Sequence, residues 1–241
     1  MKLSDFEALS FDCYGTIIDW EQGIWDATLP WRERTGVTTS RDEILEAHGS
    51  LEAAAERANP TMTYPRILRL VMQAIGERFG QPATYQEAAH FGDSVGRWPP
   101  FPDSLAALTR LKSDHRLIIL SNVDRASFAA TNAHLGVTFD AIVTAEDVRS
   151  YKPDPANFAA LLKAAAGLGV APGKLLHVAQ SLYHDHVPAK AVGLATVWID
   201  RRHDQPGVGA TPDPRTFVTP DWIFPSLDAF AAACDEARSR G

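Results

Sequence analysis

From residue 117 onward, short apolar runs alternate with helical stretches, and this alternation constrains the fold more than any other feature of the chain. Segments 117–120, 141–144, 175–179, 195–199 and 222–224 read as strands, while 104–112, 125–135, 154–168, 184–192 and 227–237 read as helices, with Asp103 as N-cap of the first. Strands separated by helices form a parallel sheet wrapped by those helices. An earlier strand, 9–11, ends at Asp12, and Gly15 permits a tight turn just beyond it. Residues 20–96 hold no convincing strand. Ile44, Leu45 and His48 follow helical spacing there, as do Ile67, Leu68, Val71 and Ile75, and Pro65 suits a first helical turn. The stretch Trp98-Pro99-Pro100-Phe101-Pro102 closes this helical segment. The chain thus reads as α/β, with a core of 1–19 and 97–241 interrupted by a helical insertion at 20–96. The Gly-, Pro- and Asp-rich segment 203–216 reads as a surface loop, and no internal repeat is visible.

Composition excludes several function classes. The 241 residues carry a formal net charge of −7, which argues against a general binder of nucleic-acid backbones. No apolar run reaches the roughly 18 residues of a membrane span, and the N-terminus lacks the apolar segment of a signal peptide. Cys13 and Cys234 make neither a disulfide framework nor a zinc pattern, so the cytoplasm is the expected location.

Polar residues at the strand ends point to a site. An isolated Asp-x-x-Gly is ordinarily a turn or capping aspartate. Here, however, Asp12 and Thr16 follow the first strand, and Ser121 and Asn122 follow 117–120. Lys152 comes after 141–144, and Gln180, Ser181 and Asp185 after 175–179. Open α/β sheets bind ligands beyond the carboxyl ends of their strands, so these groups can converge, with Asp12 as a covalent nucleophile.

Phe11-Asp12-Cys13-Tyr14-Gly15-Thr16, Leu120-Ser121-Asn122, Tyr151-Lys152-Pro153 and Val178-Ala179-Gln180-Ser181, followed by Asp185, together resemble the motifs of the haloacid dehalogenase superfamily. The resemblance spans 11–185 and implies a Rossmann-like parallel sheet core with an inserted helical cap at 20–96. It also implies catalytic roles for Asp12, Lys152 and Asp185. Tyr14, Thr16, Ser121, Asn122 and Ser181 would contact substrate, Thr16 and Ser121 at its carboxylate oxygens and Asn122 near the leaving group. The phosphatase branch has a second aspartate where this chain has Tyr14, and Gly-Asp where it has Ala179-Gln180. General acid and metal carboxylate are therefore both missing. A phosphate ester needs both, whereas a 2-haloalkanoate expels halide unprotonated. The pattern is similar to that of the 2-haloacid dehalogenases, which work without metal or other cofactor on a small anionic substrate and often pair as homodimers. The expected reaction is hydrolytic dehalogenation through an ester on Asp12. Another hydrolase on this scaffold, or a binding protein without turnover, are the alternatives.

Other residues have plainer readings. The superfamily's dehalogenases face the halide with a cap arginine, for which Arg32, Arg34, Arg41, Arg66 and Arg69 are all candidates, the last two at a spacing that could share a face. His184-Asp185-His186 reads as a polar helix start with Asp185 alone functional, because adjacent helical residues point apart. Cys13 and His177 read as interior residues and Tyr14 as a pocket wall. Trp20 and Trp25 could line the cleft or belong to the core.

Overall fold

The computed structural model describes residues 1–204, 207, 209–212 and 216–239. Strand β1 (Ala8–Phe11) is followed by five helices, α1 (Trp20–Ala27), α2 (Leu29–Thr35), α3 (Arg41–Ala58), α4 (Tyr64–Arg78) and α5 (Tyr85–Gly92). The chain continues through α6 (Ser104–Lys112), β2 (Arg116–Ser121), α7 (Arg125–Leu135), β3 (Ala141–Thr144), α8 (Ala145–Val148) and α9 (Pro155–Gly167). It closes with β4 (Leu175–Ala179), α10 (Val187–Ala191), β5 (Ala195–Ile199), β6 (Trp222–Phe224) and α11 (Leu227–Ser239). The strands form one six-stranded sheet, ordered β3-β2-β1-β4-β5-β6, with every neighbouring pair parallel. This is the α/β architecture expected from the alternation. No helix among the described residues is long and apolar enough to cross a membrane.

The register fixes where the site forms. Ala8, Leu9, Ser10 and Phe11 are all fully buried, as suits a central strand covered on both faces. Phe11 pairs with Ile119 of β2 and Val178 of β4, so the chain beyond each strand emerges at one edge of the sheet. From β1 the chain builds outward through β2 and β3, then returns to the other side for β4, β5 and β6. The end of β1 therefore lies at the topological switch point.

The helices after β1 pack on one another by the periodicity read in the sequence. Helix α3 starts with a capping box. The Glu43 N–H donates to Ser40 Oγ at 3.2 Å, and the Glu43 carboxylate accepts from the Ser40 N–H at 2.8 Å. Helix α4 buries Ile67, Leu68, Val71 and Ile75. The buried face of α3 runs through Leu45, His48, Gly49, Glu52 and Glu56, which brings two carboxylates inside.

Three expectations need correction. Asp103 stands at the N-cap position of α6 but makes no side-chain cap; its carboxylate instead accepts from Arg201 Nη1 at 3.0 Å and from the Asp228 N–H at 3.1 Å. A charge-assisted pair with arginine outcompetes a single capping bond there. The helix expected over 184–192 starts as a π-helical turn, Leu182–His186, ahead of α10. The loop expected at 203–216 is not wholly on the surface: Gly209, Ala210 and Thr211 are buried, with Ala210 against Gly49 of α3. Positions 205, 206, 208 and 213–215 of that expected loop lie outside the described residues.

Gly49 shows how closely that segment approaches. A Cβ there would sit 2.2 Å from the Ala210 carbonyl oxygen, a backbone atom that cannot rotate away. In an exposed helix Gly→Ala stabilises by about 1 kcal/mol. Here overpacking reverses the sign, and Gly49→Ala is expected to lower the unfolding free energy by roughly 1–3 kcal/mol. Denaturant melts of the two proteins measure this directly; a rise in stability would show that the 209–211 segment yields freely.

Candidate active site

The turn after β1 builds the nucleophile's seat. The Cys13 carbonyl accepts from the Ile17 and Ile18 N–H groups, at 2.7 and 2.9 Å, which curls the chain back toward the sheet. Gly15 makes the turn possible with a φ of 94°, in the region that disfavours a side chain. The curl returns Thr16 to Asp12, and Thr16 Oγ1 donates to Asp12 Oδ2 at 2.8 Å. Thr16 is fully buried and also accepts from the Gln180 N–H at 2.9 Å. It thus holds the aspartate, not a substrate carboxylate as the resemblance implied.

Lys152 neutralises the centre. All three ammonium protons are used: on Asp12 Oδ1 at 2.9 Å, Asp185 Oδ1 at 2.7 Å and the Leu120 carbonyl at 3.1 Å. Its backbone is pinned by Asn122, whose Oδ1 accepts from the Lys152 N–H at 2.6 Å and whose Nδ2 donates to the Lys152 carbonyl at 3.1 Å. Burial alone would lower the Lys152 pKa, but the two aspartates overcome it and hold it above the ordinary lysine value. Burial works to raise Asp185, yet Lys152 and His177 keep it well below the ordinary carboxylate range. For Asp12 burial is the largest influence and pushes the pKa up, with Lys152 and Thr16 pulling against it.

His177 is fully buried, as its place in an apolar run suggested, and it also belongs to this network. In the register of β1 and β4 it lies opposite Ser10, and its Nδ1 is 2.9 Å from Ser10 Oγ. Its Nε2 is 3.1 Å from Asp185 Oδ1. With Nε2–H donating to Asp185, Nδ1 accepts from the Ser10 hydroxyl, and both ring nitrogens are satisfied. Neither residue marks the pair in the sequence; only the register of β1 and β4 brings them together.

A small cleft opens above Asp12. One wall comes from the strand ends and includes Ser121, Asn122, Lys152, Gln180, Ser181 and His184; the other comes from the helices after β1, with Trp20, Glu52, Glu56 and Tyr64. Ser121 Oγ, His184 Nε2 and Asp185 Oδ2 are buried polar atoms of this wall without a protein partner. Native interiors satisfy nearly all such atoms, so these three are ready to meet substrate or water.

Several sequence readings shift accordingly. Tyr14 lines the cleft as expected, but its hydroxyl is engaged with Thr131 Oγ1 at 2.8 Å. Ser181 reaches the cleft, yet its hydroxyl accepts from the His184 N–H at 2.9 Å and faces His184 Nδ1 at 3.2 Å. His184, Asp185 and His186, read as a polar helix start, are all buried. His184 faces the cleft, whereas His186 Nε2 bonds the Ala179 carbonyl at 3.0 Å. Trp20 is in the cleft; Trp25 is away from it, stacked under Arg32. Cys13 is interior.

None of the candidate arginines lines the cleft. Arg32 Nη2 donates to the Trp25 carbonyl, Arg34 pairs with Glu87 at 2.6 Å, and Arg69 pairs with Asp93 at 2.9 Å. Arg41 and Arg66 are exposed, so Arg66 and Arg69 form no common site in the cleft. Residues of the helical segment 20–96 that do reach the cleft, Glu52, Glu56 and Tyr64, were not singled out, because glutamates in an Ala- and Glu-rich helix look solvated.

Magnesium is the metal that the superfamily's phosphatases use, and the donors here suit it poorly. Mg²⁺ favours carboxylate oxygens. Gln180 offers a neutral amide, whose Oε1 already accepts from Thr211 Oγ1 at 3.0 Å, and Asp185 Oδ1 is taken by Lys152 and His177.

Comparison with known proteins points the same way as the geometry. A family profile for haloacid dehalogenase-like hydrolases matches residues 6–193. The chain is 28% identical to an (S)-2-haloacid dehalogenase of Pseudomonas sp. strain YL, over 97% of both chains. It is 31% identical to a phosphoserine phosphatase of Thermus thermophilus, over 77% of this chain and 74% of that one. Its fold superposes on an L-2-haloacid dehalogenase from Xanthobacter autotrophicus, solved with chloropropionic acid covalently bound. That match has a TM-score of 0.76 and 21% identity, covering 98% of this chain and 99% of the other.

Proposed function

Because the chain belongs to the haloacid dehalogenase-like hydrolases, we propose that it converts short 2-haloalkanoic acids to 2-hydroxyacids through an ester on Asp12. One observation carries this reading. The buried Asp12 is neutralised by the fully engaged Lys152, while the two positions that equip the phosphatase branch hold Tyr14, hydrogen-bonded to Thr131, and the neutral Gln180. Such a site has a nucleophile and a cation but lacks both aspartates that serve the phosphatase branch at these two positions. Halide needs neither.

In the first step an Asp12 carboxylate oxygen attacks C2 opposite the halogen, the new C–O bond forms, and halide leaves with the bonding electrons, inverting C2. The free Ser121 hydroxyl donates to the substrate carboxylate. In the second step water adds to the Asp12 carbonyl carbon, the bond from that carbon to the ester oxygen breaks, and the 2-hydroxyacid leaves with one of the water's protons while the other passes to solvent, restoring the Asp12 carboxylate. Lys152 and Thr16 stabilise the oxyanion formed on Asp12, and Asp185 Oδ2 orients the water. Residues 20–96 serve as the cap that closes the cleft against solvent.

The relatives named (S)-2-haloacid dehalogenases favour the (S) enantiomer as substrate. The test is halide release from each enantiomer of 2-chloropropionate with excess EDTA. The expected result is release that persists with EDTA and gives the inverted lactate. The relative named phosphoserine phosphatase supports a second reading, hydrolysis of a phosphate monoester. Silence with haloacids, together with magnesium-stimulated release of phosphate, would replace the first reading with the second.

A further inference from the structure

The cleft has no cap arginine, yet an in-line displacement drives the halide away from Asp12 and toward the opposite wall. That wall offers Glu52 and Glu56, four residues apart on α3, and the Tyr64 hydroxyl, which donates to Glu52 Oε1 at 2.6 Å. Both glutamates are buried, 3% and 4% exposed, and among the described residues neither has a salt-bridge partner that is a lysine or arginine. Glu56 is met by Asn122 Nδ2, at 3.3 and 3.4 Å from its two oxygens, which places it beside the residue the family resemblance puts near the leaving group.

We propose that Glu56, held as the neutral carboxylic acid, donates a hydrogen bond to the departing halide and so fills the role of the missing cap cation. This rests on the dehalogenase reading above. Charge balance requires it. Asp12 and Asp185 against Lys152 leave one negative charge, and a haloacid brings a second. Two further carboxylates beside them, four residues apart and out of water, cannot all be ionised. Groups facing Glu56 act in the same sense. Burial is the largest influence and Glu52 on its own helix the next, both raising the Glu56 pKa; Lys152 and the exposed Arg57 oppose them and do not prevail. His184, on the facing wall, is neutral, with burial holding it down to about 4. Glu52 itself is pushed up to about 7. A neutral carboxyl in such a site donates, as an amide would. The proton stays on Glu56 throughout: the C–halogen bond breaks, halide leaves as an anion, and the hydrogen bond only spreads its charge.

The test is the pH dependence of kcat/KM for (S)-2-chloropropionate, whose own charge is constant from about pH 6 to about pH 10. The wild type should lose activity toward alkaline pH as Glu56 ionises and repels the halide. Glu56→Gln, which keeps a donor that cannot ionise, should remain within about tenfold of wild type at pH 6 and flatten the alkaline fall. Glu56→Ala should lose about 30-fold or more at that pH with an unchanged melting temperature. Glu52→Gln removes a negative neighbour and should move the fall to lower pH. An alkaline fall that persists in Glu56→Gln overturns the proposal. So does an increase of about tenfold in that variant, which would mark Glu56 as an anion that selects against simple haloacids. Absence of halide release by the wild type at every pH removes the dehalogenase reading and this proposal with it; release with an unmoved profile removes this proposal alone.

Discussion

Asp12→Asn stops halide release from 2-chloropropionate, with a loss of at least about 10⁴-fold, because the amide oxygen is too weak a nucleophile to open the carbon centre. The protein should still fold. Lys152 keeps Asp185 and the Leu120 carbonyl as partners, and an asparagine oxygen can still accept from Thr16 or Lys152. Two measurements distinguish a covalent role from electrostatic support. Wild-type protein quenched during turnover should carry the substrate's mass on the peptide that contains Asp12. In heavy-oxygen water, the first turnover should deliver ordinary oxygen from Asp12 to the product, and the label should appear on the carboxylate. Direct labelling of the first-turnover product would mean that water attacks C2 and that Asp12 acts as a base.

How much of this site is legible in the sequence depends on which wall a residue occupies. The strand-end groups follow from topology: once 9–11, 117–120 and 175–179 are neighbouring parallel strands, Asp12, Ser121 and Gln180 must leave the same edge. Lys152 and Asp185 lie farther from their strands, and their convergence needed the family motifs. The helical wall has no comparable rule. Glu52 and Glu56 look solvated in composition, but they continue the buried stripe through Leu45, His48 and Gly49 at intervals of three and four. Reading the phase of the helix ahead of the charge of its residues would have placed them inside. The Ser10–His177 pair was hidden for a different reason. Two polar residues inside apolar strands reveal nothing until the register sets them opposite each other. The burial of 209–211 rests on the bare Gly49 backbone, on Glu21 and on Gln180, contacts that a segment composed like a surface loop does not announce.

Lys152→Met should have the largest effect on stability. Methionine roughly fills the space of the lysine stem but leaves Asp12 and Asp185 buried with no ammonium between them. Breaking a buried pair by removing one partner costs about 3–5 kcal/mol. His177 and Thr16 remain as donors, which keeps the loss below that of two bare carboxylates. The pH dependence identifies the cause. In the wild type, Asp185 has a folded pKa below its unfolded value, so its contribution is present above the unfolded value and lost as pH falls. Lys152, raised on folding, contributes below its unfolded value and loses that contribution only in strong alkali. Without the ammonium, both aspartates have folded pKa values above their unfolded ones. Each then costs stability wherever the unfolded chain would be ionised, and the penalty fades as acid protonates them in the folded state. Denaturant melts should therefore show a large gap between variant and wild type at about pH 8 that narrows at about pH 5. A gap independent of pH would assign the loss to packing around the lysine stem, and the charge network would then have little part in holding the strand ends together.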